Sequence, residues 1–291
     1  MFRGSMVALI TPMHDDGTID EKALRRLVEF HIEQGTDAIV AVGTTGESAT
    51  LDYDEHCHVM RRVVEMARGR IPVIGGTGSN STWEAIKLTR CAMESGCNAA
   101  LLVTPYYNRP TQEGLYRHFK AVADAVPMPQ ILYNVPSRTA CDLLPETVAR
   151  LAETSNIIGL KEASGSVGRV REILERCDGR LDVYCGEDIK NLEVIMAGGK
   201  GAISVTANVA PRLMHEMCTA ALAGDFGEAE RLDARLVALH KALFVETNPI
   251  PVKWAVHRLG LAGLGIRLPM TPLSEHHHDN VLQAMKLASL L

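Results

Sequence analysis

Residues 38–75, AIVAVGTTGESATLDYDEHCHVMRRVVEMARGRIPVIG, contain the pattern that decides the fold. The apolar run Ala38–Val42 predicts a buried strand, and the amphipathic stretch Asp54–Ala67 predicts a helix. A second short apolar run, Pro72–Gly75, predicts the next strand. A strand, a helix and a strand in this order are typical of two parallel strands joined by a helical crossover.

The same alternation of strand and helix continues through most of the chain. Eight strands are expected, at Met6–Ile10, Ala38–Val42, Pro72–Gly75, Ala99–Val103, Gln130–Asn134, Ile157–Lys161, Leu181–Cys185 and Ala202–Val205. Further helices are expected at Glu21–Gln34, Thr82–Ser95 and Gln112–Ala125. Because an open doubly wound sheet normally has fewer strands, eight successive units favour a closed (β/α)₈ TIM barrel. We therefore predict an α/β barrel over residues 1–224.

The alternation stops near residue 224. The remaining sequence shows only helical patterns, at Asp225–Leu243, Pro251–Leu259 and Ser274–Leu290. No linker or low-complexity stretch separates this part of the chain from the barrel. Residues 225–291 are therefore expected to form a C-terminal helical subdomain that packs on the barrel.

Composition excludes several classes of partner. The formal net charge of −5 comes without basic blocks, and aromatic residues make up only 4% of the chain, so neither nucleic acid nor an anionic membrane is an expected partner. The cysteines are scattered and never stand in a C-x-x-C spacing, which predicts reduced thiols. The N-terminal residues do not resemble a secretory signal, and no apolar run is long enough to span a membrane. A cytoplasmic location is expected.

Reactive side chains stand where the predicted strands end, which is where TIM barrels carry their functional groups. Lys161 ends the sixth predicted strand among apolar residues. Burial there would lower the lysine pKa from ~10.4 toward ~7–8 and leave a neutral amine, which attacks ketones to form an iminium. The alternative is a lysine that ends the strand and extends its ammonium group into solvent.

Other strand ends add groups that suit the same chemistry. Tyr133, one strand earlier, offers a phenol as a proton shuttle. Thr44 and Thr45 offer hydroxyl and backbone N–H groups that can bind a carboxylate. Arg138 offers a planar guanidinium group that can bind a second carboxylate through two parallel hydrogen bonds. Taken singly, these are an ordinary core tyrosine, a tight turn and a solvated loop arginine. Together they predict condensation of a 2-oxo acid with a charged aldehyde.

Four motifs carry a family resemblance over essentially the whole chain: Gly43–Glu47, Tyr133–Thr139, Gly159–Glu162 and Asn248–Lys253. They resemble the dihydrodipicolinate synthase family of pyruvate-dependent class I aldolases. The resemblance implies a lyase that condenses pyruvate with L-aspartate 4-semialdehyde through a Schiff base on Lys161. It implies the product 4-hydroxy-tetrahydrodipicolinate, a place in diaminopimelate and lysine biosynthesis, and no metal or other cofactor.

The resemblance also implies roles for individual residues. Thr44 and Tyr133 would relay protons together with Tyr107, which would reach into the site of a neighbouring subunit in a homotetramer built from tight dimers. The positions implied to bind substrate are Thr45, Arg138, Ile203 and Gly186. The positions implied to bind L-lysine as a feedback inhibitor at the dimer interface are Ser48, Ala49, His56, Asn80, Glu84 and Tyr106.

Two alternatives remain open at the level of sequence. A lyase of N-acetylneuraminate or sugar acids would share the lysine and the tyrosine, although Arg138 in its Pro-x-Arg-Thr setting favours aspartate semialdehyde. A non-catalytic sensor of 2-oxo acids would not need the proton relay. The run His276-His277-His278 is not expected to bind a metal, because consecutive residues of a helix point in different directions.

Overall fold

Eight parallel strands follow one another in sequence order around a closed barrel in the computed structural model, which describes residues 2–291. The strands are β1 Gly4–Ala8, β2 Ala38–Ala41, β3 Val73–Gly76, β4 Ala99–Val103, β5 Gln130–Asn134, β6 Ile157–Glu162, β7 Asp182–Cys185 and β8 Gly201–Ser204. Pairing of Gly4 with Gly201 joins β1 to β8 and closes the barrel. The predicted TIM barrel is confirmed, with strand ends displaced by at most two residues.

Helices connect the strands and continue after the barrel closes. They are α1 Glu21–Glu33, α2 Tyr53–Ala67, α3 Thr82–Glu94, α4 Gln112–Ala125, α5 Pro136–Thr139, α6 Pro145–Leu151, α7 Val167–Cys177, α8 Asn191–Met196, α9 Pro211–Leu222, α10 Phe226–Ala242, α11 Ile250–Arg258 and α12 His278–Leu287. Short polar side chains begin several of them. Asp52 and Ser81, for example, accept a hydrogen bond from a backbone N–H of the first turn of α2 and α3.

The apolar core has two layers because successive strand residues point to opposite faces of the sheet. Leu160 of β6 faces outward and packs in the layer between the strands and the helices. Tyr133 and Ile203 face inward and pack inside the barrel. Lys161, next to Leu160 on β6, shares the inward direction. The alternation of the strand therefore directs this lysine into the barrel.

The C-terminal helices return the chain to the mouth of the barrel. Helix α10 packs against α9 and α12, and the segment 243–249 connects α10 to α11. Within residues 2–291, none of the helices combines the length and the apolar character needed to cross a bilayer. The division of the chain at residue 224 stays a prediction.

Two cysteines form a disulfide that the sequence did not reveal. Cys57 of α2 and Cys91 of α3 are bonded, with their Cα atoms 6.1 Å apart. The prediction of reduced thiols is therefore wrong for this pair. The two residues are separated by 34 positions in sequence and meet only because α2 and α3 pack side by side, so no local spacing indicates the bond.

Candidate active site

Lys161 and Tyr133 lie side by side inside the mouth of the barrel. They occupy paired positions of the neighbouring strands β5 and β6, and both point inward. The Nζ atom of Lys161 lies 4.3 Å from the ring centroid of Tyr133. The lysine is only 5% exposed, although it carries an amine. The strand register thus brings together the two residues that the sequence singles out.

Burial shifts the pKa values of both groups in directions that suit proton transfer. It lowers the pKa of Lys161 to about 8, against the negative charge of Asp188, which raises it. A substantial fraction of the amine is therefore neutral near physiological pH. Burial raises the pKa of Tyr133 to about 12, against the positive charge of Arg138 and a hydrogen bond with Thr44. The phenol therefore keeps its proton and can donate it.

The loop after β2 brings two threonines to the same place. It forms a 3₁₀ turn at Thr44–Gly46, in which Thr44 is half-buried and Thr45 is buried. The hydroxyl of Thr45 accepts a hydrogen bond of 3.0 Å from Nδ2 of Asn248. The turn fits tightly because a Cβ atom on Gly46 would lie 3.1 Å from the carbonyl oxygen of Leu9. A small, fixed turn therefore presents the threonine hydroxyls.

The strands β7 and β8 supply the remaining wall around the lysine. A Cβ atom on Gly186 would lie 2.9 Å from Cε of Lys161 and 2.7 Å from Cβ of Ala163. Only glycine leaves room for the lysine stem at this position. Ile203 is buried and packs in the same interior cluster as Tyr133. Gly186 therefore lies against the stem of Lys161, and Ile203 belongs to the same barrel interior as Tyr133.

Arg138 and Tyr107 are both exposed. The guanidinium of Arg138, on α5, lies 3.5 Å from the carbonyl oxygen of Asn248, and its charge lowers the pKa of Lys161 further. Arg138 thus lies at the mouth of the site, with most of its guanidinium N–H groups available to bind a ligand. Tyr107 is 89% exposed and has a positive φ of 73°. The fold of a single chain does not bury Tyr107 in its own barrel.

Most of the positions implied to bind lysine line one cavity of about 420 Å³. Residues of the barrel mouth line the same cavity, so it is continuous from the implied lysine positions to the mouth. Its lining includes Ser48, Ala49, His56, Glu84 and Tyr106 together with Thr44, Arg138 and Asn248. Asn80 is not part of this lining, and its carbonyl oxygen accepts a hydrogen bond from Asn108.

Two members of this set have defined partners. His56 is buried, and its Nε2 donates a hydrogen bond of 2.7 Å to the carbonyl oxygen of Gly76. Burial lowers the pKa of His56, so the ring is neutral at physiological pH. The carboxylate of Glu84 accepts a hydrogen bond from the hydroxyl of Ser79. Glu84 therefore places a fixed negative charge in the cavity.

Sequence reasoning assigned no role to a buried ion pair beneath the threonine turn. Lys253 of α11 donates a hydrogen bond to Oε1 of Glu47, and the backbone N–H of Arg267 donates to Oε2 at 3.0 Å. Together with the hydrogen bond from Asn248 to Thr45, these contacts fix the threonine turn to the C-terminal part of the chain. The Asn248–Lys253 motif was visible in the sequence, but its partners lie more than 200 positions away.

Asp188 is a second residue without a predicted role. Its buried carboxylate accepts hydrogen bonds from the backbone N–H groups of Val205 and Thr206, at 3.0 and 2.9 Å, and from the side chain of Asn191. It therefore ties the loop after β7 to the end of β8. Its negative charge also acts on Lys161. No local signal distinguishes this aspartate from an ordinary loop residue.

The sequence model of the dihydrodipicolinate synthetase family matches residues 1–288. The 4-hydroxy-tetrahydrodipicolinate synthase of Alkalilimnicola ehrlichii is 72% identical over 291 residues, which are 100% of each protein. The crystal structure of the chloride-inhibited dihydrodipicolinate synthase (DHDPS) of Acinetobacter baumannii complexed with pyruvate is 52% identical, covers 100% of both chains and gives a TM-score of 0.99.

A more distant relative has a different ligand. The crystal structure of DHDPS from Cyanidioschyzon merolae with lysine bound is 38% identical and gives a TM-score of 0.96. The match covers 100% of this chain and 99% of that one.

Proposed function

The chain belongs to the dihydrodipicolinate synthetase family, and on this premise we propose how its own residues carry out the reaction. The reaction is the condensation of pyruvate with L-aspartate 4-semialdehyde to 4-hydroxy-tetrahydrodipicolinate, a lyase reaction of diaminopimelate and lysine biosynthesis. The observation that carries the mechanism is a buried lysine amine, partly neutral near physiological pH, that lies against a protonated phenol.

The first step forms the imine. The neutral Nζ of Lys161 attacks the keto carbon of pyruvate, while the turn at Thr44–Thr45 receives the pyruvate carboxylate on its hydroxyl and N–H groups. Tyr133 donates a proton to the hydroxyl of the carbinolamine, which leaves as water. Gly186 leaves room for the lysine stem, and Ile203 belongs to the apolar barrel interior that suits the methyl group of pyruvate.

The second step forms the carbon–carbon bond. Tyr133, left as a phenolate by the first step, takes a proton from the methyl group and so converts the iminium into an enamine. The enamine carbon then attacks the aldehyde of the second substrate, and the aldehyde oxygen takes the proton back from Tyr133. Arg138 holds the carboxylate of that substrate at the mouth of the barrel through its planar fork. The amino group of the substrate then displaces Lys161 from the imine carbon and closes the ring. The lysine is thereby released for the next cycle.

The relay is completed between subunits. Tyr107 is exposed in the single chain, which supports a role in which it enters the site of a neighbouring subunit and exchanges protons with Thr44 and Tyr133. The assembly that provides this contact is a homotetramer of tight dimers. The C-terminal residues 225–291 act as a subdomain that holds the threonine turn through Asn248 and Lys253. The cytoplasmic location expected from the sequence is part of the same proposal.

L-Lysine binds as a feedback inhibitor in the cavity next to the site. The carboxylate of Glu84 suits the ammonium groups of the ligand, and the neutral ring of His56 and the hydroxyl groups of Ser48 and Tyr106 provide further polar contacts. The relative from Cyanidioschyzon merolae with lysine bound supports this use of the fold. Asn80 would have to reach the ligand from outside the lining of the cavity.

Trapping with borohydride tests the mechanism. Incubation of the chain with pyruvate and borohydride should leave one reduced adduct per chain, on the peptide that contains Lys161, and the Lys161→Arg variant should take up none. A product assay with L-aspartate 4-semialdehyde, beside one with N-acetylneuraminate, then tests the substrate. An adduct on another lysine would overturn the assignment of Lys161, and absence of any adduct would indicate a sensor.

A further inference from the structure

Three metal-ligating side chains meet on the surface away from the barrel interior. They are Glu246, His276 and His277, and their ligand atoms all lie within 4.8 Å of one another. The expectation that the rings of this histidine run diverge is wrong for the first two, whose ring centroids are 4.0 Å apart. His276 and His277 lie in a 3₁₀ turn, Glu275–His277, that precedes α12, and their two side chains turn toward each other there.

The distances are close to those of a coordination site. Nε2 of His277 lies 3.9 Å from Oε1 of Glu246. A tetrahedral ion with bonds of ~2.0–2.2 Å needs ligand atoms roughly 3.3–3.6 Å apart, so a side-chain movement of about 1 Å completes the site. His276 is exposed and free to make that movement. Within residues 2–291, neither ring uses its nitrogens in a hydrogen bond.

The backbone that presents the two rings is anchored by the third histidine. Nε2 of His278 donates a hydrogen bond of 3.1 Å to the carbonyl oxygen of Leu273, and its ring stacks on Trp254 with centroids 4.6 Å apart. His278 is thus engaged elsewhere and fixes the start of α12. The turn that carries His276 and His277 is therefore held in place rather than free to drift.

The chemistry of the three ligands selects a class of ion. Two imidazoles and one carboxylate are a set that binds zinc and leaves a fourth position for water. Imidazole suits Zn²⁺, Cu²⁺ and Ni²⁺, whereas Mg²⁺ and Ca²⁺ prefer oxygen ligands throughout. We propose that Glu246, His276 and His277 bind one divalent transition-metal ion, with Zn²⁺ as its representative.

A bound ion would join two parts of the C-terminal region. Glu246 belongs to the segment between α10 and α11, and His276 and His277 belong to the turn before α12. Two residues after Glu246, Asn248 donates to Thr45 and accepts from Arg138. The ion therefore restrains the segment that borders the mouth of the barrel, without contacting the reacting groups.

Calorimetric titration of the full chain with Zn²⁺ tests the site. The unaltered chain should bind one ion per chain, and His277→Ala should weaken binding at least about tenfold, because one of three ligands is lost. His14→Ala is the matched control: His14 also lies 3.9 Å from a carboxylate, that of Asp20, but no second histidine joins it. This control should bind as the unaltered chain does. Equal binding by His277→Ala and the unaltered chain would overturn the proposal.

Cobalt provides a second readout that a structural effect of the mutation would not reproduce. Co²⁺ in a four-coordinate nitrogen and oxygen site should give a visible absorption band that the double variant His276→Ala, His277→Ala lacks, while circular dichroism of the two chains stays the same. Prior alkylation of the free cysteines should leave the band in place. Loss of the band on alkylation would assign the ion to thiols and overturn the site, as would absence of the band in the unaltered chain.

Discussion

The chain buries two lysines near the mouth of the same barrel, and their surroundings differ. Lys161 is 5% exposed and Lys253 is 3% exposed, so both amines are almost completely removed from water. Lys253 makes an ion pair with Glu47. Among residues 2–291, Lys161 has no such pair and lies instead against the ring of Tyr133. The difference teaches that a partner carboxylate, rather than burial, separates a lysine that fixes structure from one that keeps a free amine for chemistry.

The loss of the unpaired amine should have the largest effect on activity. Replacing Lys161 by Met removes the amine that forms the imine in the proposed mechanism, so kcat should fall at least about a thousandfold, as for other covalent nucleophiles. Steady-state assay of condensation measures the loss. Lys253→Met should retain measurable condensation, because its amine does not contact substrate. Loss of activity by Lys253→Met to the same level would contradict the distinction between the two lysines.

The loss of the paired amine should have the largest effect on stability. Lys253→Met leaves Glu47 buried without its cation, and breaking such a pair costs about 3–5 kcal/mol of the free energy of unfolding. Denaturant unfolding measures this cost. The double variant Glu47→Gln, Lys253→Met should recover part of it, since a neutral amide can still accept the N–H of Arg267. A double variant less stable than Lys253→Met would show that the cost has another origin.

Lys161→Met should change stability in the opposite direction. The pKa of Lys161 falls from 10.5 to about 8 in the folded chain, which therefore holds this proton less tightly than the unfolded chain does. Burial of the charged lysine therefore lowers the free energy of unfolding by about 3 kcal/mol. This loss of stability is complete at pH 7 and disappears as the pH rises from about 8 to about 10.5. The variant should thus be more stable than the unaltered chain at pH 7 and gain little at pH 10.5. Equal gains at both pH values would mean that the gain comes from packing.

The pH dependence of catalysis should report the titration of the Lys161 amine. In the proposed mechanism only the neutral amine of Lys161 attacks pyruvate, so kcat/KM should fall about tenfold for each pH unit below the pKa of Lys161, which is about 8, and level off above it. Tyr133→Phe should lower the plateau and leave the inflection near the same pH. An inflection that disappears in Tyr133→Phe would assign it to the phenol instead.

The sequence predicts those features that depend on neighbouring residues along the chain. The apolar runs at Ala99–Val103 and Gln130–Asn134 match β4 and β5 because turn residues bound them on both sides. The first strand shifts from the expected Met6–Ile10 to Gly4–Ala8, because Gly4 and Ser5 pair with β8 and close the barrel. The N–H of Ile10 donates instead to Asn208. Local hydrophobicity contains no information about either distant partner.

The same limit applies to the site. Adjacent strands place Tyr133 next to Lys161, so their proximity follows from the strand order alone. The Glu47–Lys253 pair and the Cys57–Cys91 disulfide join residues separated by 206 and 34 positions, and neither has a spacing that indicates contact. The ring contact between His276 and His277 lies in the turn before α12. Next to it, His278 stacks on Trp254 of α11, a contact between helices that no sequence spacing indicates.

The continuous cavity has a consequence for inhibitor design. Arg138 and Glu84 line the same space, so a single elongated compound with an anionic head and a cationic tail can engage both of these charges at once. Such a compound would occupy the proposed aldehyde site at Arg138 and the proposed lysine site at Glu84 together. Resistance by substitution at one end would leave the contacts at the other end intact.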